Sequence, residues 1–236
     1  MARSEKNRLS VKESWPLIEE YCNVSLHPLL DKNNLHDLSN KGKWGHILER
    51  LIGIGLNSES LDLTDGEIKT FKRSQSIAIT MVDHVTDEII ECRPFKESYL
   101  YNKIKQTVMV PRVELENHIF FAKPFLWNED LYPEDFPKVE EDWNYICDIV
   151  KNHYLNKEVM GTGVKGTSNR ISTTVNGPNE YLQIRTGGNS NNLLHEGQVL
   201  SEKKLRFYFK DKYMGKYFFE QRREDIEKTI SKMGWR

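Results

Sequence analysis

The chain has little of what marks a secreted, membrane-embedded or low-complexity protein. Cysteine occurs three times in 236 residues, at Cys22, Cys92 and Cys147. A scattered, odd set without a C-x-x-C pair offers neither a disulfide framework nor a cysteine zinc site. The three read as small buried hydrophobes. The seven histidines form no H-x-x-x-H or H-x-H pair. No apolar run approaches the roughly 20 residues of a membrane span. The first six residues are polar and carry no apolar signal core, so a cytoplasmic protein without a membrane partner is expected. Charge of either sign is not in excess: 34 Lys and Arg against 35 Asp and Glu leave a net charge of −1. That balance argues against a generic polyanion binder. Internal repeats and low-complexity tracts are absent. The length suits one large domain or two small lobes, with ample chain to bury a core.

Local charge is less even. Acids gather between Glu129 and Asp148, and basic residues between Lys96 and Arg112 and between Lys203 and Lys216. A cleft can be basic while the whole chain is neutral, and nucleic-acid binding needs only the local stripe.

The stretch Leu61–Thr70 carries the chemistry. Asp65-Gly66 is a turn signal. If Glu67–Phe71 is a strand, Glu67 and Lys69 share one face and Ile68 enters the core. Asp62, Glu67 and Lys69 then meet at one end of a hairpin. Two carboxylates offer hard oxygen ligands for Mg²⁺. A nearby ammonium can orient an attacking water or neutralise developing phosphate charge. Those parts suit metal-dependent phosphodiester hydrolysis; the bland alternative is a solvated hairpin edge with a Glu/Lys pair.

Along the chain, Ser14 before Trp15-Pro16 predicts a helix running to about Cys22. A short helix follows over 26–32. Trp44, Ile47, Leu48, Leu51 and Ile52 recur at helical spacing, with Ser39 or Asn40 as the cap. Gly42 and Gly45 within that pattern suggest that a strand or a DNA backbone comes close, because each costs about 1 kcal/mol relative to Ala in a helix. From periodicity alone Glu49 is a solvated residue. Residues 76–82 read as a buried central strand. A helix over 95–105 and strands over 107–110 and 118–122 follow. Residues 133–156 form the clearest helix, with Val139, Trp143, Ile146, Val150 and Tyr154 inward and its acids solvated. Residues 161–179 and 187–192 are loops. Residues 180–186 and 205–210 alternate as strands. Two helices close the chain, the first interrupted at Gly215 and the second over about 223–233.

Five segments, in order, resemble the MutH family, the strand-nicking endonucleases of DNA mismatch repair and their restriction-enzyme relatives on the PD-(D/E)xK nuclease core. They are Lys41-Gly42-x-x-Gly45-x-x-Leu48-Glu49, Asp62…Glu67-Ile68-Lys69-Thr70, and Asn102-Lys103-Ile104-Lys105 with Val108-Met109-Val110-Pro111. The last two are the helix around Trp143, and Glu180–Arg185 with Phe207-Tyr208-Phe209-Lys210. Coverage is roughly residues 38–218.

The resemblance implies an α/β, restriction-endonuclease-like fold: a mixed central sheet flanked by helices, in two lobes forming a DNA-binding cleft. The catalytic lobe would span about residues 1–125 and the recognition lobe about 126–236. It implies Glu49, Asp62, Glu67 and Lys69 as catalytic residues. Mg²⁺, for which Mn²⁺ can substitute, would be held by Asp62, Glu67, the Ile68 carbonyl and Glu49. Lys41, Lys103, Lys105, Arg185, Tyr208 and Lys210 would face double-stranded DNA. The Asp62–Glu67 interval is shorter than in the repair members, which leaves Asp65 as an alternative ligand. Thr186-Gly187-Gly188 stands where those members carry a basic residue, and the tail after Phe218 is longer. These departures favour a type II restriction endonuclease, monomeric or homodimeric, with a cognate methyltransferase acting on the same site. The alternatives are a repair nickase that cuts one unmethylated strand at GATC and a non-catalytic DNA-binding module.

Overall fold

The computed structural model describes residues 8–32, 43–54, 61–161, 170–187 and 192–235. In chain order the helices and strands begin with α1 (Val11–Glu20), α2 (His27–Lys32), α3 (Lys43–Leu51), β1 (Glu67–Phe71), β2 (Ile77–Met81), α4 (Thr86–Glu91) and α5 (Tyr99–Ile104). Then come β3 (Gln106–Glu114), β4 (Ile119–Phe121), β5 (Phe125–Asn128) and the long helix α6 (Asp135–Leu155). Strands β6 (Val159–Met160), β7 (Arg170–Ile171), β8 (Val175–Asn176), β9 (Leu182–Thr186), β10 (Leu193–His195), β11 (Gln198–Ser201) and β12 (Leu205–Phe209) follow, and α7 (Lys216–Gln221) and α8 (Arg223–Met233) close the chain. The protein is mixed α/β, and no helix among the described residues is long and apolar enough to cross a membrane.

The described strands form three four-stranded sheets. In the first, β1 pairs in parallel with β3, while β4 and β5 pair antiparallel with successive stretches of β3. The second runs β2-β12-β9-β8, antiparallel throughout. Strand β2 therefore ends a sheet and is not central, although Ile77 and Ile79 are buried as expected. The third runs β10-β11-β6-β7. Its β10–β11 hairpin turns through Glu196 and Gly197, both at positive φ. That hairpin lies in a stretch from which the sequence pattern yields no strand.

The chain divides into two compact units. One comprises 1–75, 105–128 and 215–236; the other comprises 76–104 and 129–214. The expected single boundary near residue 125 is thus replaced by units assembled from separate segments. The reason is topological. A parallel β1–β3 pair cannot be closed by a tight turn and needs a long crossover, and here residues 76–104 of that crossover belong to the other unit.

In the first unit, the main core joins Val11 and Ile18 of α1, Leu48 of α3, Ile68 of β1 and Val108 and Val110 of β3. Helix α1 starts earlier than expected. Ser10 accepts from the Glu13 N–H at 3.2 Å and the Glu13 carboxylate accepts from the Ser10 N–H at 2.8 Å, a reciprocal capping box. Pro16 consequently lies inside the helix, not in its first turn.

In the second unit, Trp143 of α6 lies between Phe95 and Phe207, with ring centroids 6.4 and 5.8 Å away. Its indole N–H donates to the Arg93 carbonyl at 3.0 Å. The acids of α6 are not all solvated, as the charge run suggested. Asp142 is completely buried and accepts backbone N–H bonds from Asn179, Tyr181 and Leu182 at 2.7, 2.7 and 2.8 Å. Burial pushes its carboxyl up from the usual range, and the three N–H donors oppose that shift. Two turns earlier, Asp135 accepts from the Tyr181 hydroxyl at 2.8 Å. Two inward acids on one helix therefore clamp the entry to β9.

Asp142→Ala would leave two buried backbone donors and one partly buried donor without their acceptor. Unfolding in urea is expected to show a loss of about 3 kcal/mol or more, since each orphaned donor costs roughly 1–3 kcal/mol. A loss under about 1 kcal/mol would mean that water replaces the carboxylate.

Candidate active site

The first unit brings four of the expected site residues together. Glu67 and Lys69 are two residues apart on β1 and share a face, and Ile68 between them is buried in the core. Glu67 has no solvent exposure at all. A carboxylate taken out of water needs a charged or hydrogen-bonding partner, and the Lys69 ammonium provides one by direct ion pair. The same ammonium lies 3.6 Å from an Asp62 carboxylate oxygen. That Asp62 oxygen also accepts from the Ile68 backbone N–H at 3.1 Å, which ties the turn to the strand.

No hairpin forms here, because β1 pairs in parallel with β3. Residues 61–66 approach the strand through a turn in which the Leu63 N–H donates to the Gly66 carbonyl at 2.9 Å. A Cβ at Gly66 would lie 2.7 Å from the Gln106 carbonyl oxygen and 2.8 Å from a Val11 methyl. Only glycine lets the turn rest this closely on β3 and α1. Asp65 is exposed, and its carboxylate accepts from the Val11 N–H at 2.7 Å, at the first turn of α1. Asp65 serves the helix, and Asp62 faces Lys69.

Glu49 comes from α3, which packs against β1. Its carboxyl is pushed up to about 7, first by burial and then by Asp62, with Lys69 opposing and Glu67 adding to the rise. Burial alone would lower the Lys69 pKa. Asp62, Glu67 and Glu49 outweigh it, and Lys69 is held above the ordinary lysine range.

Three carboxylates and one ammonium therefore share a largely desolvated spot. Hard oxygen donors in negative excess suit a divalent cation such as Mg²⁺ in donor type and in charge. Among the described residues, however, no group of three or more Asp, Glu, His or Cys stands ready-made around a metal position. The Ile68 carbonyl, the expected backbone ligand, lies on β1 between the two charged residues.

The expected DNA-facing residues are distributed differently. Lys41 and Gly42, with the Ser39 and Asn40 cap, lie outside the described residues, as do 162–169 and 188–191 of the two expected loops. Lys105 is exposed, immediately before β3 and near the Glu67 end of the β1–β3 pair. Lys103 belongs to the other unit, in the last turn of α5. In that unit the Arg185 guanidinium lies over the Tyr208 ring, 4.2 Å from its centroid, on adjacent strands β9 and β12. Lys210 donates to Glu180 at 3.0 Å, and Lys212 donates to the same carboxylate at 2.5 Å. Those two lysines hold the Glu180 carboxyl down to about 2. Lys210 is thus already engaged in an ion pair.

Arg206 opposes Arg185 in the β9–β12 register and its Nε lies 3.2 Å from the Met81 sulfur. Leu205, Phe207 and Phe209 are buried, so Arg206 and Tyr208 share the other face.

No protein-family model matches the chain, and no curated protein matches it.

Gly45 contrasts with Gly66. A methyl there would rest 3.8 Å from a Glu49 oxygen and 3.9 Å from the Thr70 hydroxyl, which is ordinary contact. The protein itself does not require the close approach inferred for this glycine. Gly45→Ala should raise stability by up to about 1 kcal/mol through helix propensity, whereas Gly66→Ala should lower it. Thermal melts of both variants check the contrast, and destabilisation by Gly45→Ala would show that α3 cannot accept the methyl.

Proposed function

We propose that this chain is a Mg²⁺-dependent DNA endonuclease, of the type II restriction class, that hydrolyses phosphodiester bonds in double-stranded DNA at a short specific site. What carries the reading is the convergence of Asp62, Glu67 and Lys69 on one point, with Glu49 beside them. The restriction-endonuclease-like core, with DNA held between two lobes, belongs to the same proposal.

Asp62, Glu67, Glu49 and the Ile68 carbonyl would hold the metal ion. When bound, the ion supplies Lewis-acid charge for the phosphate and activates water. The chain's own residues do the remainder. Lys69 keeps its positive charge between two carboxylates and can present it to a water or to a phosphate oxygen. Glu67, fixed in the core end of β1, sets the depth of the site. Gly66 holds the turn that carries Asp62 against β3.

A base-reading role for the second unit rests on Arg185. Its guanidinium is oriented on the Tyr208 ring, and a planar guanidinium can engage a guanine edge in bidentate fashion. The clamp of α6 on residues 179–182 holds the strand from which Arg185 projects.

Purified protein with unmethylated supercoiled plasmid and Mg²⁺ should yield discrete linear fragments sharing one end sequence. Slow nicking that waits for a mismatch-repair partner would replace the restriction reading with the nickase. DNA bound but never cut would leave a binding module. Asp62→Ala and Glu67→Ala should each cut at least about a hundred-fold more slowly while still binding DNA in a gel-shift assay. Full activity of both variants would remove the site from the reaction. Arg185→Ala should cost about 1–3 kcal/mol of discrimination at one base position. Equal weakening on all sequences would instead make Arg185 a phosphate contact.

A further inference from the structure

The first unit holds a second charged site at the other end of β1. A cavity of about 400 Å³ has Phe219 and Ile226 in its apolar lining and Lys72, Arg73, Arg112 and Arg223 in its charged lining. Among the described residues its lining contains two carboxylates, Glu114 and Glu227. Glu114 is divided between Arg112 at 2.8 Å and Lys72 at 3.0 Å. Arg223 donates to Glu227 at 2.7 Å, and Arg73 reaches Glu220 at 2.6 Å. Positive charge therefore exceeds negative charge around the space.

Arg112 is the distinctive member. It is only 7% exposed. Its guanidinium lies over the Trp44 ring at 4.8 Å, which fixes its plane. Its Nε–H is buried and has no hydrogen-bond partner. A buried guanidinium donor without an acceptor is costly, and native interiors rarely leave one so. The cavity beside it is large enough for a ligand, since such sites run from about 300 to 1,000 Å³.

We propose that this cavity binds a small phosphate-bearing ligand with a flat apolar body, a nucleoside monophosphate in chemical class. The guanidinium and ammonium groups take the phosphate oxygens, where planar guanidinium geometry favours paired hydrogen bonds. Phe219 and Ile226 cover the apolar body. Ligand oxygens compete with Glu114 for Arg112 and Lys72 and relieve the surplus charge. Lys72 directly follows the strand that carries Glu67 and Lys69, yet the site uses none of the proposed nuclease residues and stands without that reading.

Isothermal titration calorimetry of the full chain with adenosine monophosphate tests the proposal, alongside inorganic phosphate and a short duplex with unphosphorylated ends. Adenosine monophosphate should bind more tightly than inorganic phosphate. The exposed-side double substitution Lys72→Ala/Arg223→Ala should weaken it by about tenfold or more with an unchanged melting temperature. Arg112→Lys, which keeps the charge and removes the planar fork, should weaken it as well. No heat with adenosine monophosphate at millimolar concentration would overturn the proposal. So would binding unaffected by the double substitution, or equal binding of inorganic phosphate. If the duplex displaces adenosine monophosphate and the same substitutions weaken duplex binding in parallel, the cavity is a backbone-phosphate contact and the small-ligand site falls.

Discussion

The fully buried Glu67 carboxylate is the constraint on which the first unit is arranged. A charge inside a low-dielectric interior is tolerated only with a close opposite charge and further hydrogen bonds. Lys69 meets that demand from the same strand face, and Asp62 completes the pairing through Lys69 and the Ile68 N–H. The turn at Gly66 can deliver Asp62 only because no side chain separates it from β3. Glu49 is then withdrawn from water and set among like charges, and burial first and those charges second raise its carboxyl to about 7. A stability argument does not explain such a cluster, since apolar residues in the same space would be as stable or more so. A carboxyl raised by burial in a cluster with a lysine, as Glu49 is, marks a candidate functional site.

The second unit solves a comparable problem with backbone donors. Asp142 and Asp135 on α6 are turned inward and satisfied by the chain at 179–182. This positions β9 before its side chains reach the surface, and Arg185 stacks on Tyr208 from the neighbouring strand. Both units place charged groups by burying a carboxylate beneath them. In one the partner is a side-chain ammonium, and in the other a turn of backbone N–H groups.

Local periodicity was enough for much of this. The alternation of Leu205, Phe207 and Phe209 with Arg206 and Tyr208 marks β12, and the Trp143 stripe marks α6. The two-residue spacing of Glu67 and Lys69 already puts them on one face, because side chains alternate along any strand. Ser14 with Pro16 has the look of a helix entry, but the reciprocal cap of α1 is made by Ser10 and Glu13, one turn earlier. The burial of Asp142 is not legible locally, because a charge among charges on an amphipathic helix carries no mark of burial. Its acceptors are paired by residues nearly forty positions away.

The sequence by itself determined the long periodic elements such as α6, β9 and β12, though not the short strands β7, β8, β10 and β11, and that Glu67 and Lys69 must point together, since these follow from covalent geometry and side-chain spacing. Tertiary structure alone decided that β1 pairs in parallel with β3, that the strands split into three sheets, and that the units interleave along the chain. It also decided that Asp62 faces Lys69 while Asp65 holds α1, and that Arg112 comes to line a cavity with Lys72 and Arg223. Those outcomes depend on which distant surfaces meet, a choice set by burial and pairing summed over the whole chain and invisible in any local window.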